Sequence, residues 1–150
     1  MDDLKWMALA LAEAERAAAA GEIPVGAVVV QDGAVLAAAG NASIAEQDPT
    51  GHAEVRALRH AGRAAGTYRL PGAILYATVE PCVMCMGAAL HARVARLVFG
   101  CPDPKGGAAG SLYTLGDDPR LNHRIAVTGG VGADLSRRLL QAFFRARRPE

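Results

Sequence analysis

Apolar positions along this chain change their period several times, and the changes divide it into alternating helices and strands. From about Asp2 to Ala20, Leu4, Met7, Leu11, Ala14 and Ala18 recur at helical spacing. Alanine dominates the stretch and favours helix more than any other residue. Asp2 or Asp3 is positioned to cap this helix and Gly21 to end it. Val25 to Val30 is a short run with β-branched residues and reads as a buried strand. Asp32-Gly33 is a two-residue hairpin signal, so Val35 to Gly40 returns antiparallel. Ser43 to Gly51 is a loop, followed by a helix from His52 to about Ala64 with Val55, Leu58 and Ala61 facing inward. Ala73 to Val79 alternates as a strand, Val83 to Ala92 is a further helix, and Val94 to Phe99 is another strand. This strand–helix–strand passage predicts a right-handed parallel crossover. Gly100 to Gly110 is glycine-rich and polar and reads as a flexible rim loop. Asp117-Asp118-Pro119 opens a short helix, Ile125 to Thr128 gives a last strand, and Asp134 to Arg147 a last helix. At about 100° per residue, Leu135, Leu139, Ala142, Phe143 and Ala146 of that helix share one arc. Arg137, Arg138, Arg145 and Arg148 share the neighbouring arc. The alternation predicts a single α/β layered domain over residues 1–150 with a mixed sheet.

Composition narrows the function classes. Of the 150 residues, 51% are hydrophobic, which is enough for one real core. No apolar run is long enough to cross a membrane, and Met1-Asp2-Asp3 lacks the basic start of a secretory signal. A net charge of +1 argues against a general polycation. Fourteen of the sixteen basic residues are arginine, however, and five of them follow Asp134, which makes a local basic patch. On the residues alone, that patch is either a stripe for a phosphate backbone or a solvated last turn that complements the helix dipole. The rim loop lacks the Gly-Lys-Ser/Thr ending of a phosphate loop, so no nucleoside triphosphate site is read there.

The chemistry lies in two short segments. Pro49-Thr50-Gly51-His52-Ala53-Glu54 supplies His-x-Glu, and Glu80-Pro81-Cys82-Val83-Met84-Cys85 supplies Pro-Cys-x-x-Cys. One His and two Cys are three ligands of the kinds zinc prefers, and a catalytic zinc keeps its fourth position for water. Two thiolates and a neutral imidazole leave such a site formally near neutral, so its water needs a base. Glu54 is that base, able to take a proton and return it to a ring nitrogen and a leaving group. Residues two apart do not share a helix face, so His52 and Glu54 must sit at a helix start. Pro81 suits a helix opening as well, and helix N-termini favour the thiolate forms of Cys82 and Cys85. Three cysteines, two of them claimed by the metal, suit a reducing, cytoplasmic setting, with Cys101 a small core or loop residue. His60 and His91 are off the ligand faces. Asn41, at the end of the second strand, reads on the residues alone more readily as a turn residue bonding its own backbone than as a residue aimed at a pocket.

These residues carry a resemblance to a known family. The motif pair is a signature of zinc-dependent nucleobase deaminases. The chain resembles the bacterial tRNA-specific adenosine deaminases, within the cytidine-deaminase-like superfamily, nearly end to end. The resemblance runs through Glu22-Ile23-Pro24-Val25-Gly26-Ala27-Val28, both zinc segments, Gly107-Ala108-Ala109-Gly110-Ser111, Asn122-His123-Arg124 and Phe143-Phe144-Arg145-Ala146-Arg147-Arg148. It implies a three-layer α/β/α sandwich around a mixed five-stranded sheet, with one Zn2+ per subunit on His52, Cys82 and Cys85 and with Glu54 as proton shuttle. It implies hydrolytic deamination of adenosine to inosine at the wobble position of a tRNA, the arginine tRNA with anticodon ACG in typical bacteria. Asn41, Pro24 and Val25 would line the base pocket, and Asp103 with the arginine tail, Arg145 and Arg148, would meet the RNA. A cytoplasmic homodimer is implied. Gly51, Cys101-Pro102 and Gly106 depart from the family pattern. Two other readings fit the zinc motif: a deaminase of free guanine, cytosine or their nucleosides, and an inactive zinc-stabilised RNA-binding subunit.

Overall fold

The structure, a computed structural model, describes residues 2–147. Four helices and five strands alternate: α1 (Asp3–Ala19), β1 (Gly26–Gln31), β2 (Ala34–Gly40), α2 (Ala53–Ala65), β3 (Ile74–Val79), α3 (Val83–His91), β4 (Arg96–Cys101), β5 (Ala126–Thr128) and α4 (Ala133–Ala146). The strands form one mixed sheet in the order β2-β1-β3-β4-β5. β1 runs antiparallel to β2 and β3, whereas β3, β4 and β5 are mutually parallel. The β3–α3–β4 passage is the expected parallel crossover. Asp32 and Gly33 both take positive φ, 52° and 76°, which a tight β1–β2 hairpin turn requires.

Side chains of period two sort the core into two layers. Val28 and Val30 of β1, Tyr76 of β3 and Val98 of β4 pack on one face with Met7, Ala10 and Leu11 of α1, joined by Leu139 of α4. Ala27, Val29, Leu75, Leu97 and Phe99 point the other way, against Ala57, Leu58 and Ala61 of α2 and Met86 and Ala89 of α3. The result is the three-layer α/β/α sandwich. α1 lies very close to the sheet because Gly26 and Gly40, paired across β1 and β2, have no side chains. A methyl on Gly26 would collide with the Ala10 carbonyl, and one on Gly40 would come within 2.8 Å of the Glu13 carbonyl oxygen.

Helix faces are where periodicity gave the wrong residues. In α1 the buried stripe is Met7, Ala10, Leu11, Ala14 and Ala17, while Leu4 is largely exposed. The close glycine approach selects small residues for the contact, so alanines outrank leucine there. Neither Asp2 nor Asp3 caps the helix through its side chain. Asp3 instead accepts from both outer guanidinium nitrogens of Arg96, at 2.9 and 2.8 Å, and from Tyr76 Oη at 2.8 Å, tying α1 to the middle of the sheet. In α2, Val55 is only half-buried, and Ala53, Glu54, Ala57, Leu58 and Ala61 face inward. In α4, Ser136 and Phe143 are the buried residues, and Leu135, Ala142 and Ala146 are exposed. Ser136 is drawn in because its hydroxyl accepts the Cys101 N–H at 3.1 Å. Asp117-Asp118-Pro119 ends a 3-10 turn, Leu115–Asp117, rather than opening a helix. Among the described residues no helix is long and apolar enough to cross a membrane.

Candidate active site

Two helix starts meet at the carboxyl end of β3. His52 is the N-cap residue of α2, in extended conformation, and Glu54 lies in its first turn. Cys82 is the N-cap residue of α3, likewise extended, and Cys85 lies in its first turn. The reason is local: an N-cap residue has left the extended chain but not entered the helix, so its side chain projects past the helix end. The spacings His-x-Glu and Cys-x-x-Cys therefore bring a ligand from each helix mouth to one point.

His52 Nδ1 stands 3.6 Å from Cys82 Sγ and 3.5 Å from Cys85 Sγ, and the two sulfurs are 3.7 Å apart. Around a tetrahedral zinc with bonds of about 2.3 Å to sulfur and about 2.05 Å to nitrogen, the ligand edges are about 3.8 Å for S–S and about 3.6 Å for S–N. The triangle has the size zinc needs. It is also the one such donor cluster among the described residues, and His60 and His91 are exposed outside it. The electrostatics agree with the geometry. Cys82 is pushed down to about 4, first by the Cys85 thiol and, against the cost of burial, by the His52 ring. Cys85 is pushed up by its bond to Cys82 and then by burial. Two sulfurs this close share a single charge by themselves, and a dication between them lets both ionise.

Glu54 is 4% exposed, and burial raises its carboxyl above the usual carboxylate range. It lines a cavity of about 160 Å³ together with His52, Cys82, Ile23, Val25, Asn41, Val79, Glu80 and Asp103. Sequence-derived candidates thus converge, with three exceptions. Pro24 is fully buried and outside the lining, whereas Ile23 and Val25 are in it. Pro24 shapes the wall through the backbone, as the centre of a tight turn in which the Val25 N–H donates to the Ile23 carbonyl at 2.8 Å. Arg145 is exposed in the last turn of α4, outside the lining. Arg148 lies outside the described residues. Asn41 does not close a turn on itself: its amide nitrogen faces Glu22 Oε1 at 3.5 Å, and its own N–H donates to Val25 O.

Two buried acids escaped the sequence reading. Glu22 accepts the backbone N–H groups of Ile44 and Ala45 at 3.1 and 2.8 Å, which holds the loop between Asn41 and Gly51. Glu80 accepts the N–H groups of Asp103, Ala109 and Ser111 at 3.0, 3.0 and 2.9 Å, and the Ser111 hydroxyl. The glycine-rich loop is therefore tied down at several points rather than loose. Only an acid next to an otherwise apolar strand or motif hints at this in sequence, since an acid is ordinarily solvated.

Comparison with known proteins agrees with the site. The family model for the cytidine and deoxycytidylate deaminase zinc-binding region matches residues 1–101. The chain is 49% identical over 149 residues to the tRNA-specific adenosine deaminase of Haemophilus influenzae, covering 99% of this chain and 86% of that protein. A solved structure from work on A-to-I editing by tRNA:A34 deaminases at the wobble position superposes with a TM-score of 0.88 at 44% identity, covering 91% of this chain and 99% of that one. A guanine deaminase from Bacillus subtilis superposes with a TM-score of 0.68 at 32% identity, covering 100% of this chain and 99% of that one. With its donor triangle, its buried glutamate and these likenesses, the chain belongs to the cytidine and deoxycytidylate deaminase family, on its tRNA-specific adenosine deaminase branch.

Proposed function

We propose that this chain, acting as one domain, hydrolytically deaminates adenosine to inosine at the wobble position of a tRNA, with one zinc per subunit on His52, Cys82 and Cys85. The observation that carries the reading is the buried Glu54 carboxylate lining the same cavity as His52 and Cys82. When bound, zinc supplies the Lewis acidity that makes water nucleophilic near neutral pH. The remaining work belongs to the protein. Glu54 takes a proton from the water as its oxygen bonds to C6 of adenine, and delivers that proton to N1. The second water proton then passes through Glu54 to N6 as the C6–N6 bond breaks, leaving a carbonyl at C6 and releasing ammonia. Exclusion of bulk water around Glu54 lets one carboxyl serve in both directions. Ile23 and Val25 offer apolar walls to the ring, and Asn41 offers a polar edge.

The substrate assignment is supported by the tRNA-specific relatives and by the arginines of α4. Asp103, Arg145 and Arg148 meet the RNA in this reading, the substrate is the arginine tRNA with anticodon ACG, and the protein works as a cytoplasmic homodimer. Likeness to a guanine deaminase favours the free-base reading as second choice. A product assay separates them. Zinc-loaded protein is incubated with an arginine tRNA bearing adenosine at the wobble position, and in parallel with free adenine, adenosine, guanine and cytidine, followed by nucleoside digestion and mass analysis. Inosine in the tRNA alone is the expected result; turnover of a free base with an untouched tRNA refutes the RNA assignment.

A further inference from the structure

The cavity wall at Asp103 comes from a loop with little regular structure, and the Glu80 side chain holds several of its backbone groups. Glu80 is 3% exposed and sits between the end of β3 and the ligand Cys82. Its own N–H donates to the Cys101 carbonyl at 2.9 Å. Oε1 accepts the Asp103 N–H and the Ser111 hydroxyl, and Oε2 accepts the N–H groups of Ala109 and Ser111. The loop closes around this carboxylate so tightly that a methyl on Gly107 would overlap it. Further bonds make the loop one body with the ligand segment: the Ala108 N–H donates to Pro81 O at 2.8 Å, and the Gly107 N–H to Asp103 O at 2.8 Å. No cation pairs with Glu80 in these interactions; its charge is met by neutral donors, which aim at it from both sides of the loop.

We propose that Glu80 is a positioning residue for the deamination: its carboxylate fixes Asp103 and the adjoining wall of the cavity before substrate arrives. Glu80 lines the same cavity, but its carboxylate bonds to Asp103, Ala109 and Ser111 of the loop, so its effect falls on substrate capture through the Asp103 wall. The inference rests on the tRNA deaminase reading. The chemistry of the two oxygens makes it specific. In Glu80→Gln one oxygen becomes an NH2 group. Set at Oε2, that group faces two backbone N–H groups, neither of which can turn. Set at Oε1, it faces the Asp103 N–H and a hydroxyl, and the Ser111 hydroxyl can rotate to accept. The second orientation loses one bond, so Gln releases Asp103 and leaves Ala109 and Ser111 held.

The test uses the full zinc-loaded protein. Glu80→Gln is expected to keep its zinc, to raise KM for the wobble-adenosine tRNA by about tenfold and to leave kcat within about threefold. Amide hydrogen exchange at Asp103 should quicken by about tenfold while the Ala109 and Ser111 amides stay protected. Should that variant fail to fold, Gly107→Ala, which presses a methyl into the same carboxylate, is expected to give the same rise in KM. Zinc loss, an unchanged KM, or an Asp103 amide that exchanges as in the wild type overturns the proposal. If the wild-type protein does not convert the tRNA, the functional reading fails on its own, and the Asp103 amide still reports whether Glu80 holds the loop.

Discussion

Replacing Glu54 by Gln isolates the proton chemistry from the metal. The two side chains have nearly the same shape, so packing at this 4%-exposed position is retained. The magnitude follows from what else could carry the protons. Among the other cavity-lining acids, Glu80 has both oxygens occupied by loop donors, and Asp103 Oδ1 accepts the N–H groups of Lys105 and Gly106. Glu80 is therefore committed to the loop, and Asp103 is held in place by its own turn. A general acid–base residue contributes about 10²- to 10⁴-fold per transfer, and Glu54 serves two transfers. A loss of at least about 10⁴-fold is expected, which corresponds to about 5.4 kcal/mol of barrier. The assay is single-turnover conversion of the wobble-adenosine tRNA, with zinc content by elemental analysis and tRNA affinity by filter binding. Zinc and tRNA affinity should match the wild type. A rate within about a hundredfold of the wild type, or loss of zinc in step with loss of rate, would refute the role given to Glu54.

Other consequences follow from particular interactions. Asp3→Asn removes a carboxylate paired with Arg96, the two side chains being 19% and 18% exposed, and should cost about 1–3 kcal/mol in urea unfolding of the zinc-loaded protein, Arg96 keeping its bond to Thr128. The Arg96 guanidinium holds the Asp3 carboxyl below its usual 3.8, so that stabilisation is complete above 3.8 and is lost as pH falls through the lower folded value. Wild type and Asp3→Asn should accordingly converge in stability on acidification, and a constant gap would count against the ion pair as its source. Strong chelation should abolish turnover and lower the melting temperature together, with zinc restoring both; a chelator-treated protein of unchanged activity would rule out the metal site. Changing Arg137, Arg138 and Arg145 to Ala should weaken tRNA binding and flatten the log–log salt dependence by up to about 0.9 for each phosphate no longer neutralised, and an unaltered slope would make the stripe a bystander. Gly26→Ala should lower stability by about 1–3 kcal/mol, since the added methyl meets the Ala10 carbonyl; a neutral result would mean that α1 can lift off the sheet at little cost.

Spacing along the covalent chain decided a good deal about this protein. Cys-x-x-Cys and His-x-Glu each span less than a helical turn, so their geometry is almost wholly local, and helix starts at His52 and Cys82 follow from it. The Asp32-Gly33 turn is also local, because two successive positive φ angles select those residues. The parallel crossover from β3 to β4 follows from handedness and from the lengths of three adjacent elements. What spacing could not give is the side of each helix that docks. Leu4 and Leu135 lost their predicted burial to Ala10 and Ser136, because partners far along the chain set the packing: Gly26 and Gly40 admit only small residues, and the Cys101 N–H calls for a hydroxyl. Nor could sequence show that Glu22 and Glu80 are buried. A carboxylate is stable inside a protein only where donors surround it, and here they come from Ile44 and Ala45 in one case and from Asp103, Ala109 and Ser111 in the other. The sequence alone pointed to the candidate metal ligands and proton carrier, because within each segment, His-x-Glu and Cys-x-x-Cys, the groups lie within one helical turn and their residue types carry the chemistry. Only the tertiary structure decided the walls of the cavity, because the donors that hold them are about 20 to 30 residues away from the acids they bind.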